Sequence, residues 1–387
     1  MLLQKQVYSQ QILKIEEAVE LALIKNPSSQ LVIQKKEAEK KLLNSTFGLP
    51  NLDLIFEAPT GTDMRPGLMQ LIEFPTVYSK QYKVQKKQIE VSESEISVAK
   101  AQLKYSVKQA YILTQFYNEK TKLYKEYDTI FSKMVMTNNI RYDVGQIPVL
   151  EKINSDAKYK SIKNLLHQSE FELKNSFKQL SLLCLNNYDS TFKISDKFEE
   201  LVPELDLLND EKTVNFSQNP LVLLNEKRLS LNKKLYSLEK HKLLPSLFLG
   251  YLDQGSPNAQ FDYRIRYGLS LPIWFWKNLS KIENAKININ VQELNGQQII
   301  NQLSSQFHQS TAQFSYNKEL LIYYKTIGLD LSKEIIRAAN ESFRQGTINY
   351  YAYLLSLDQA FQIQLSQLEA IKNYNLSIIQ LEFLKGL

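Results

Sequence analysis

Tyr263-Arg264-Ile265-Arg266-Tyr267-Gly268-Leu269-Ser270-Leu271 alternates without a slip. Tyr263, Ile265, Tyr267, Leu269 and Leu271 fall on one face, all apolar or aromatic, and Arg264, Arg266, Gly268 and Ser270 on the other. Successive side chains of a strand point to opposite sides, so this reads as a strand with one apolar and one charged face. Apolar-out and charged-in is the pattern of a barrel wall around water, with Arg264 and Arg266 as candidate lumen charges. The competing reading is a half-buried sheet in a soluble protein. Trp274, Phe275 and Trp276 follow just past Pro272, where a membrane strand would end, and read as an interfacial aromatic belt.

Upstream, Ser246 to Leu252 alternates too and is joined to the first run by Asp253-Gln254-Gly255-Ser256-Pro257-Asn258, which predicts a hairpin with a polar tip. The same grammar occurs earlier in the chain. Strands are predicted over about residues 51–57 and 67–74, separated by Ala58-Pro59-Thr60-Gly61-Thr62-Asp63. A lone hairpin is not stable in water, and two hairpins still leave open edges.

The recurrence extends well beyond the strands. Asn26-Pro27 returns as Asn219-Pro220, and Lys40-Lys41-Leu42 as Lys233-Lys234-Leu235. Leu49-Pro50 returns as Leu244-Pro245, Phe74-Pro75 as Leu271-Pro272, and Gly145-Gln146-Ile147 as Gly346-Thr347-Ile348. The landmarks keep their order while their separation drifts slowly, as small loop insertions would cause. The chain is therefore one unit copied once: a first repeat over 12–185, an intervening segment over 186–212, and a second repeat over 213–387.

Each repeat is mostly helix. A short helix is predicted over Ile15 to Lys25, with Ile15, Ala18, Val19, Ala22 and Leu23 on one face. Second helices run from about Ser28 to Thr46 and from about Leu221 to His241. From Thr76 to about Asn139 there is neither Pro nor Gly. Ile89, Ile96, Leu103, Ala110, Tyr117, Tyr124 and Phe131 recur at the heptad spacing of a helix packed lengthwise on its neighbours. Such a helix spans on the order of 95 Å. In the second copy Ile300, Phe307, Phe314, Leu321 and Ile335 keep one heptad row, interrupted at Gly328. Return helices follow the Gly145 and Gly346 turns, over Leu150 to Leu185 and Tyr351 to Leu384.

Composition agrees with this plan. The 387 residues include only 11 Gly and 11 Pro, sparse punctuation that suits long helices. The net charge of +6 comes from interspersed signs, with no Lys/Arg block of the kind that contacts nucleic acid. Cys184 is the one cysteine, so no intrachain disulfide forms; flanked by leucines, it reads as a buried, inert thiol. No segment approaches the ~20 apolar residues of a membrane helix, which leaves barrel strands untested. Val7-Tyr8-Ser9-Gln10 resembles the small-residue end of a cleavage site, and the expectation is a truncated start with a signal segment upstream.

Catalytic chemistry is not indicated. His167, His241 and His308 are scattered without ligand spacing, and no phosphate loop, nucleophile elbow or Cys–His pair is present in the sequence. No cofactor, metal site or enzymatic activity is expected. Met134 reads as seam packing.

The order of these features resembles the TolC family of outer-membrane efflux proteins, from about Ile12 to Leu387. The resemblance rests on Leu13-Lys14-Ile15-Glu16-Glu17-Ala18 with Ala22 and Asn26-Pro27, and on Arg141-Tyr142-Asp143-Val144-Gly145 with Ser342-Phe343-Arg344-Gln345-Gly346. The ending, Ile348-Asn349-Tyr350 through Tyr374-Asn375-Leu376 to Phe383-Leu384-Lys385-Gly386, is similar to members that serve heavy-metal pumps. The resemblance implies a mainly α fold with a small β part: three chains each give four strands to a twelve-stranded barrel, and their helices form a tunnel into the periplasm. The partners implied are a homotrimer, the outer-membrane bilayer, a periplasmic adaptor and a proton-driven inner-membrane pump. The function implied is a passive efflux channel, with heavy-metal cations as the expected cargo. A soluble coiled-coil scaffold or a periplasmic adaptor are the alternatives; neither accounts for the duplicated strand–helix order.

The two glycine turns mark the tip where the helices reverse. Tyr142, Gly145, Gln146, Ile147, Phe343, Gly346, Thr347 and Ile348 are the candidate adaptor contacts. Family members often carry acids six and nine positions after the second glycine; here those positions are Ala352 and Leu355. Glu151, Asp156 and Asp358 remain as candidate lumen or gate acids.

Overall fold

A computed structural model describes residues 12–58, 63–185, 193–194, 198–203, 215–253 and 264–387. The cleavage-site-like start, the centres of both hairpin loops, Tyr263 and most of the 186–212 segment lie outside the described residues. In chain order the elements are β1 (Ile12–Leu13), α1 (Ile15–Lys25), α2 (Pro27–Leu42), a short 3₁₀ turn (Leu43–Phe47), β2 (Leu52–Glu57) and β3 (Arg65–Ile72). Then come α3 (Pro75–Asp143), α4 (Val149–Leu185), β4 (Lys193–Ile194), α5 (Pro220–His241), β5 (Ser246–Leu252) and β6 (Ile265–Ser270). The chain closes with α6 (Phe275–Tyr323), a π turn (Tyr324–Gly328), α7 (Leu329–Arg344) and α8 (Tyr350–Lys385).

The helix boundaries follow from local chemistry. Asn26-Pro27 both ends α1, with Asn26 in extended conformation as its C-cap, and opens α2; Asn219-Pro220 opens α5. Asn26 accepts the Ser28 amide at 3.0 Å and Asn219 the Leu221 amide at 2.9 Å, each an N-cap followed by proline at the first helical position. α3 runs unbroken for 69 residues, as the absence of Pro and Gly predicts. In the second copy the expected interruption at Gly328 takes a definite form: one turn of π-helix, after which α7 resumes.

The chain divides into two compact units, each drawing on both repeats: Met1–Gln30, Lys100–Asn215 and Leu303–Leu387 form the first, and Leu31–Ala99 and Phe216–Gln302 the second. In the first unit, Ala18, Val19 and Ala22 of α1 pack with Leu103, Val107, Ala110 and Tyr111 of α3 and with Leu180 and Cys184 of α4. β1 pairs in parallel with β4 beside them. A second core joins α3, α4, α7 and α8 through Tyr124, Tyr127, Phe131, Ile162, Ala339, Tyr353, Leu357 and Phe361. Leu103, Ala110, Tyr124 and Phe131 of the predicted heptad row are buried, as are Phe307, Phe314 and Leu321 in α6. Ile300 is exposed in the single chain.

The second unit holds a four-stranded antiparallel sheet in the order β2-β3-β5-β6. β3 starts two residues earlier than its alternation suggested and takes in Pro66, whose carbonyl accepts the Asp253 amide at 3.2 Å. The helices follow the strands in the same order. Gln85 of α3 donates to Glu39 of α2, Lys227 and Arg228 of α5 pair with Glu90 and Glu95 of α3, and Gln292 of α6 donates to Asn225 of α5. Gly296 leaves room for Asn225, whose Nδ2 stands 2.5 Å from where a Cβ would be.

Candidate functional site

The sheet has two unlike faces, and its register assigns every side chain to one of them. Leu52, Leu54 and Phe56 of β2 share a face with Pro66, Leu68, Gln70 and Ile72 of β3, Leu247, Leu249 and Tyr251 of β5, and Ile265, Tyr267 and Leu269 of β6. Gln70 is the one polar residue among these. Its Nε2 donates to the carbonyls of Pro50 at 2.8 Å and Leu71 at 2.9 Å, so both its hydrogens are taken up by backbone. All but Pro66, Gln70 and Ile72 of this set are large exposed hydrophobics, with Tyr267 at 83% exposure.

The opposite face carries Asp53, Ile55 and Glu57, then Arg65, Gly67, Met69 and Leu71, then Ser246, Phe248, Gly250 and Leu252, then Arg266, Gly268 and Ser270. Arg266 Nη1 reaches Glu57 Oε2 at 2.8 Å, from one edge strand to the other. Three strand spacings would hold these edges ~14 Å apart in a flat sheet. The pair therefore requires a sheet curled with its polar face inward. Glycines on that face make the curl possible. An added Cβ would come within 2.9 Å of the Leu68 carbonyl at Gly250, and within 2.4 Å of the Phe248 ring at Gly268. Arg264 precedes β6, and its Nη1 approaches the Tyr251 hydroxyl at 3.4 Å. Of the two predicted charges, Arg266 thus stands on the polar face and Arg264 reaches around the end of the hairpin. Beyond β6, Trp274, Phe275 and Trp276 are exposed and cluster edge to face, with Phe275 opening α6.

In the first unit the two glycine turns have the same construction. Gly145 and Gly346 both have φ +72°. Gln146 N–H donates to Arg141 at 2.8 Å and Gly145 N–H to Tyr142 at 2.9 Å; Thr347 donates to Ser342 at 2.9 Å and Gly346 to Phe343 at 3.1 Å. Each is a Schellman helix end that uses the left-handed freedom of glycine. Ile147 is buried behind the first turn and Ile348 packs behind the second, whereas Gln146 and Thr347 are exposed. Tyr142 lies under the Lys152 ammonium at 4.6 Å, and Phe343 stacks on Tyr353 at 4.5 Å. Exposed Met136, Ile140 and Val144 before the first turn, and Val149, Leu150 and Ile153 after it, form an apolar collar.

The three candidate acids have different surroundings. Asp358 of α8 is paired with Lys158 of α4 at 2.5 Å. Glu151 stands near Tyr350, a buried residue whose hydroxyl donates to Met134 Sδ at 3.2 Å. Burial pushes the Tyr350 phenol up to about 12 against hydrogen bonds with Ser155 and Asn138, and the Glu151 charge pushes the same way. Asp156 is half-buried on α4. The sequence reading missed Lys158, Tyr350 and Glu57. The signal for Glu57 was present, since it occupies an alternating position in β2, but its partner lies three strands away. Among the described residues no three His, Cys, Asp or Glu groups converge on a metal-sized site, and no helix is long and apolar enough to cross a membrane.

No family model matches the sequence, and no curated protein matches it. Solved structures do match. The Campylobacter jejuni CmeC outer membrane channel is 18% identical with a TM-score of 0.72, over 96% of this chain and 85% of that one. The outer membrane protein VceC from Vibrio cholerae is 12% identical with a TM-score of 0.76, over 96% of each chain. CusC, a protein described as forming a transmembrane channel, is 14% identical with a TM-score of 0.74, over 96% of this chain and 91% of that one. Over nearly its whole length the chain thus has the fold of these outer-membrane channel structures.

Proposed function

We propose that this chain is the outer-membrane channel subunit of a tripartite efflux system, and that three copies close into one conduit. The observation that carries the reading is the apolar sheet face. Its ten large exposed side chains are about half exposed. In water that surface would forfeit on the order of 10 kcal/mol, as much as the whole stability of an ordinary domain. Lipid removes the penalty. The open edges point the same way. Strands alternate in direction from β2 to β6, so β6 of one copy meets β2 of the next antiparallel, and a ring of copies has no edge. Arg266 and Glu57 then line the water-filled inside, with Arg264 near its rim.

The eight tip residues, Tyr142, Gly145, Gln146, Ile147, Phe343, Gly346, Thr347 and Ile348, are the proposed contact with a periplasmic adaptor that links the channel to a proton-driven pump. The apolar collar around the first turn supports a protein partner there. Lys158–Asp358 and the buried Tyr350 hydroxyl fasten the helical hairpin α7–α8 to the helical hairpin α3–α4 and are the proposed latch of the gate, with Glu151 and Asp156 alongside. Heavy-metal cations are the proposed cargo, on the resemblance of the chain's ending to members serving such pumps. A passive path needs no catalytic group.

The experiment is expression in a Gram-negative host, detergent extraction of the outer-membrane fraction, mass determination and planar-bilayer recording. A detergent-dependent trimer that conducts is expected. A soluble monomer without conductance would overturn the reading in favour of a scaffold or an adaptor. Export of copper, silver, zinc and cobalt against common drugs then tests the cargo.

A further inference from the structure

The lysines of the second unit are unevenly placed. Four junctions join its helices to its strands: α2 to β2, β3 to α3, α5 to β5, and β6 to α6. Over these junctions, residues 40–50, 73–83, 239–245 and 271–283, the sequence has eight lysines and three carboxylates, and each repeat supplies four of the lysines. The segments that link β2 to β3 and β5 to β6, residues 58–64 and 253–264, have no lysine; their charges are Arg264 against Asp63, Asp253 and Asp262. Positive charge is thus confined to the helix end of the sheet.

Most of these ammonium groups keep their charge. Lys40 pairs with Glu37 at 2.8 Å and Lys242 with Glu239 at 2.7 Å. Lys41, Lys83, Lys277 and Lys281 are exposed and Lys80 is half-exposed, and none of the five pairs with a carboxylate among the described residues. Their level is also defined. Lys277 and Lys281 lie two and six residues past Phe275, which opens α6, and Lys80 and Lys83 lie five and eight past Pro75, which opens α3. At the helical rise these four fall within ~12 Å of the helix starts. Exposed aromatics mark the same level in both repeats: Phe47, 60% exposed and 5.4 Å from the Tyr82 ring, and Trp274, Phe275 and Trp276. A headgroup layer is ~5–8 Å deep. Rings at its inner boundary with lysine tails reaching its phosphates are the chemistry that suits it.

We propose that the lysines of the four junctions form a collar that binds anionic phospholipid headgroups, phosphatidylglycerol among them, in the leaflet on the helix side of the membrane. The proposal rests on the channel reading above, which puts the apolar sheet face in the bilayer; the collar continues that face at its helix end. Unpaired ammonium groups attract a net negative headgroup and gain little from a zwitterionic one. In a ring of copies the junctions join into one band. Phosphates held by that band, at one end of the strands only, fix the depth and direction of the barrel in the membrane.

The test uses the intact, detergent-extracted assembly, reconstituted in phosphatidylcholine vesicles that carry a trace of spin-labelled phosphatidylglycerol or spin-labelled phosphatidylcholine. The immobilised fraction of each label gives its relative affinity for the protein. The unaltered protein is expected to hold phosphatidylglycerol at least about threefold more tightly, and to lose that preference in ~1 M salt, which screens exposed charges. The quadruple variant Lys41→Gln, Lys83→Gln, Lys277→Gln, Lys281→Gln is expected to hold the two lipids equally. The same loss of charge at exposed positions of α4, Lys160→Gln, Lys163→Gln, Lys174→Gln, Lys178→Gln, is expected to leave the preference intact. Equal affinity in the unaltered protein would overturn the collar, as would a preference that survives the junction variant or falls as far in the α4 variant. A junction variant with altered ion selectivity and an unchanged lipid preference would overturn it too, by placing these lysines inside the conduit. Should the junction variant not assemble, the salt series on the unaltered protein decides, since a preference that persists in ~1 M salt does not come from exposed lysines. A protein that never enters the vesicles would sink the channel reading and the collar with it, whereas one that inserts without preference sinks the collar alone.

Discussion

Arg266 Nη1 lies 2.8 Å from Glu57 Oε2, although the two residues belong to the opposite edge strands of the sheet. The pair spans the concave face over the bare backbone of Gly67 and Gly250, and it joins the two repeats at their β part. Both side chains are around two-fifths exposed, so the pair is worth no more than about 1 kcal/mol. Its larger consequence is electrostatic. On the conduit reading, Arg266→Gln leaves an unbalanced carboxylate inside and shifts permeability toward cations, whereas Glu57→Gln shifts it toward anions. The double variant is expected to restore the starting selectivity. Reversal potentials across a salt gradient read all three, and shifts of the same sign for both single variants would refute the shared inward face.

The tryptophans offer a label that needs no engineering. The chain has two, Trp274 and Trp276, and both are exposed just beyond β6. In reconstituted protein their fluorescence is expected to be quenched strongly by lipids brominated near the headgroup and weakly by lipids brominated near the chain ends. Equal quenching at both depths, or none, would remove these residues from the membrane interface.

Much of this architecture was legible in the sequence because two periods carry it. The alternation of Ile265 to Ser270 and the heptad row from Leu103 to Phe131 are local patterns, and the structure reproduces both. Asn26 ends α1, as the restraint that proline places on the residue before it dictates; that Asn26 and Asn219 also cap the helices that follow depends on which amide the side chain reaches. The pairings could not be read at all. Arg266 with Glu57 and Lys158 with Asp358 join residues some two hundred positions apart, and no local period reports on such contacts. The π turn was visible only as a glycine in a heptad row, since neither composition nor spacing distinguishes a bulge from a tolerated glycine.

The glycine turns separate backbone strain from packing. At Gly145 and Gly346 an added Cβ meets nothing within 4 Å, so the penalty of an alanine there comes from φ +72° alone. Each alanine is expected to destabilise by about 1–2 kcal/mol, and asparagine by less. Thermal melts of the two alanine variants, read by helical circular dichroism, are expected to fall by similar amounts because the two turns are built alike. A neutral Gly346→Ala would mean that this turn does not hold its left-handed form in solution.

Cys184 is fully buried in the core of α1, α3 and α4, and burial pushes its thiol up to about 12. At pH 8 it is expected to resist a thiol reagent for as long as the first unit stays folded, and to react at once in denaturant. Labelling of the native protein would place a path to solvent between α1 and α4.

Lys120 and Glu172 tie α3 to α4 at 2.8 Å, with Gln168 donating to the same carboxylate. Burial alone would raise the Glu172 carboxyl, but the Lys120 and Gln168 hydrogen bonds and the Lys120 charge outweigh it, and the net shift is downward. A folded-state value below the unfolded one, near 4.3, fixes the sign of the linkage. The contribution is fully present above the unfolded value and is lost as pH falls through the lowered folded value. Glu172→Gln is therefore expected to melt below the unaltered protein at pH 6–7, by a margin worth roughly 1 kcal/mol or less. The two melting curves are expected to converge as pH drops below about 4. A margin that stayed constant down to pH 3 would assign the effect to packing of the side chain and not to its charge.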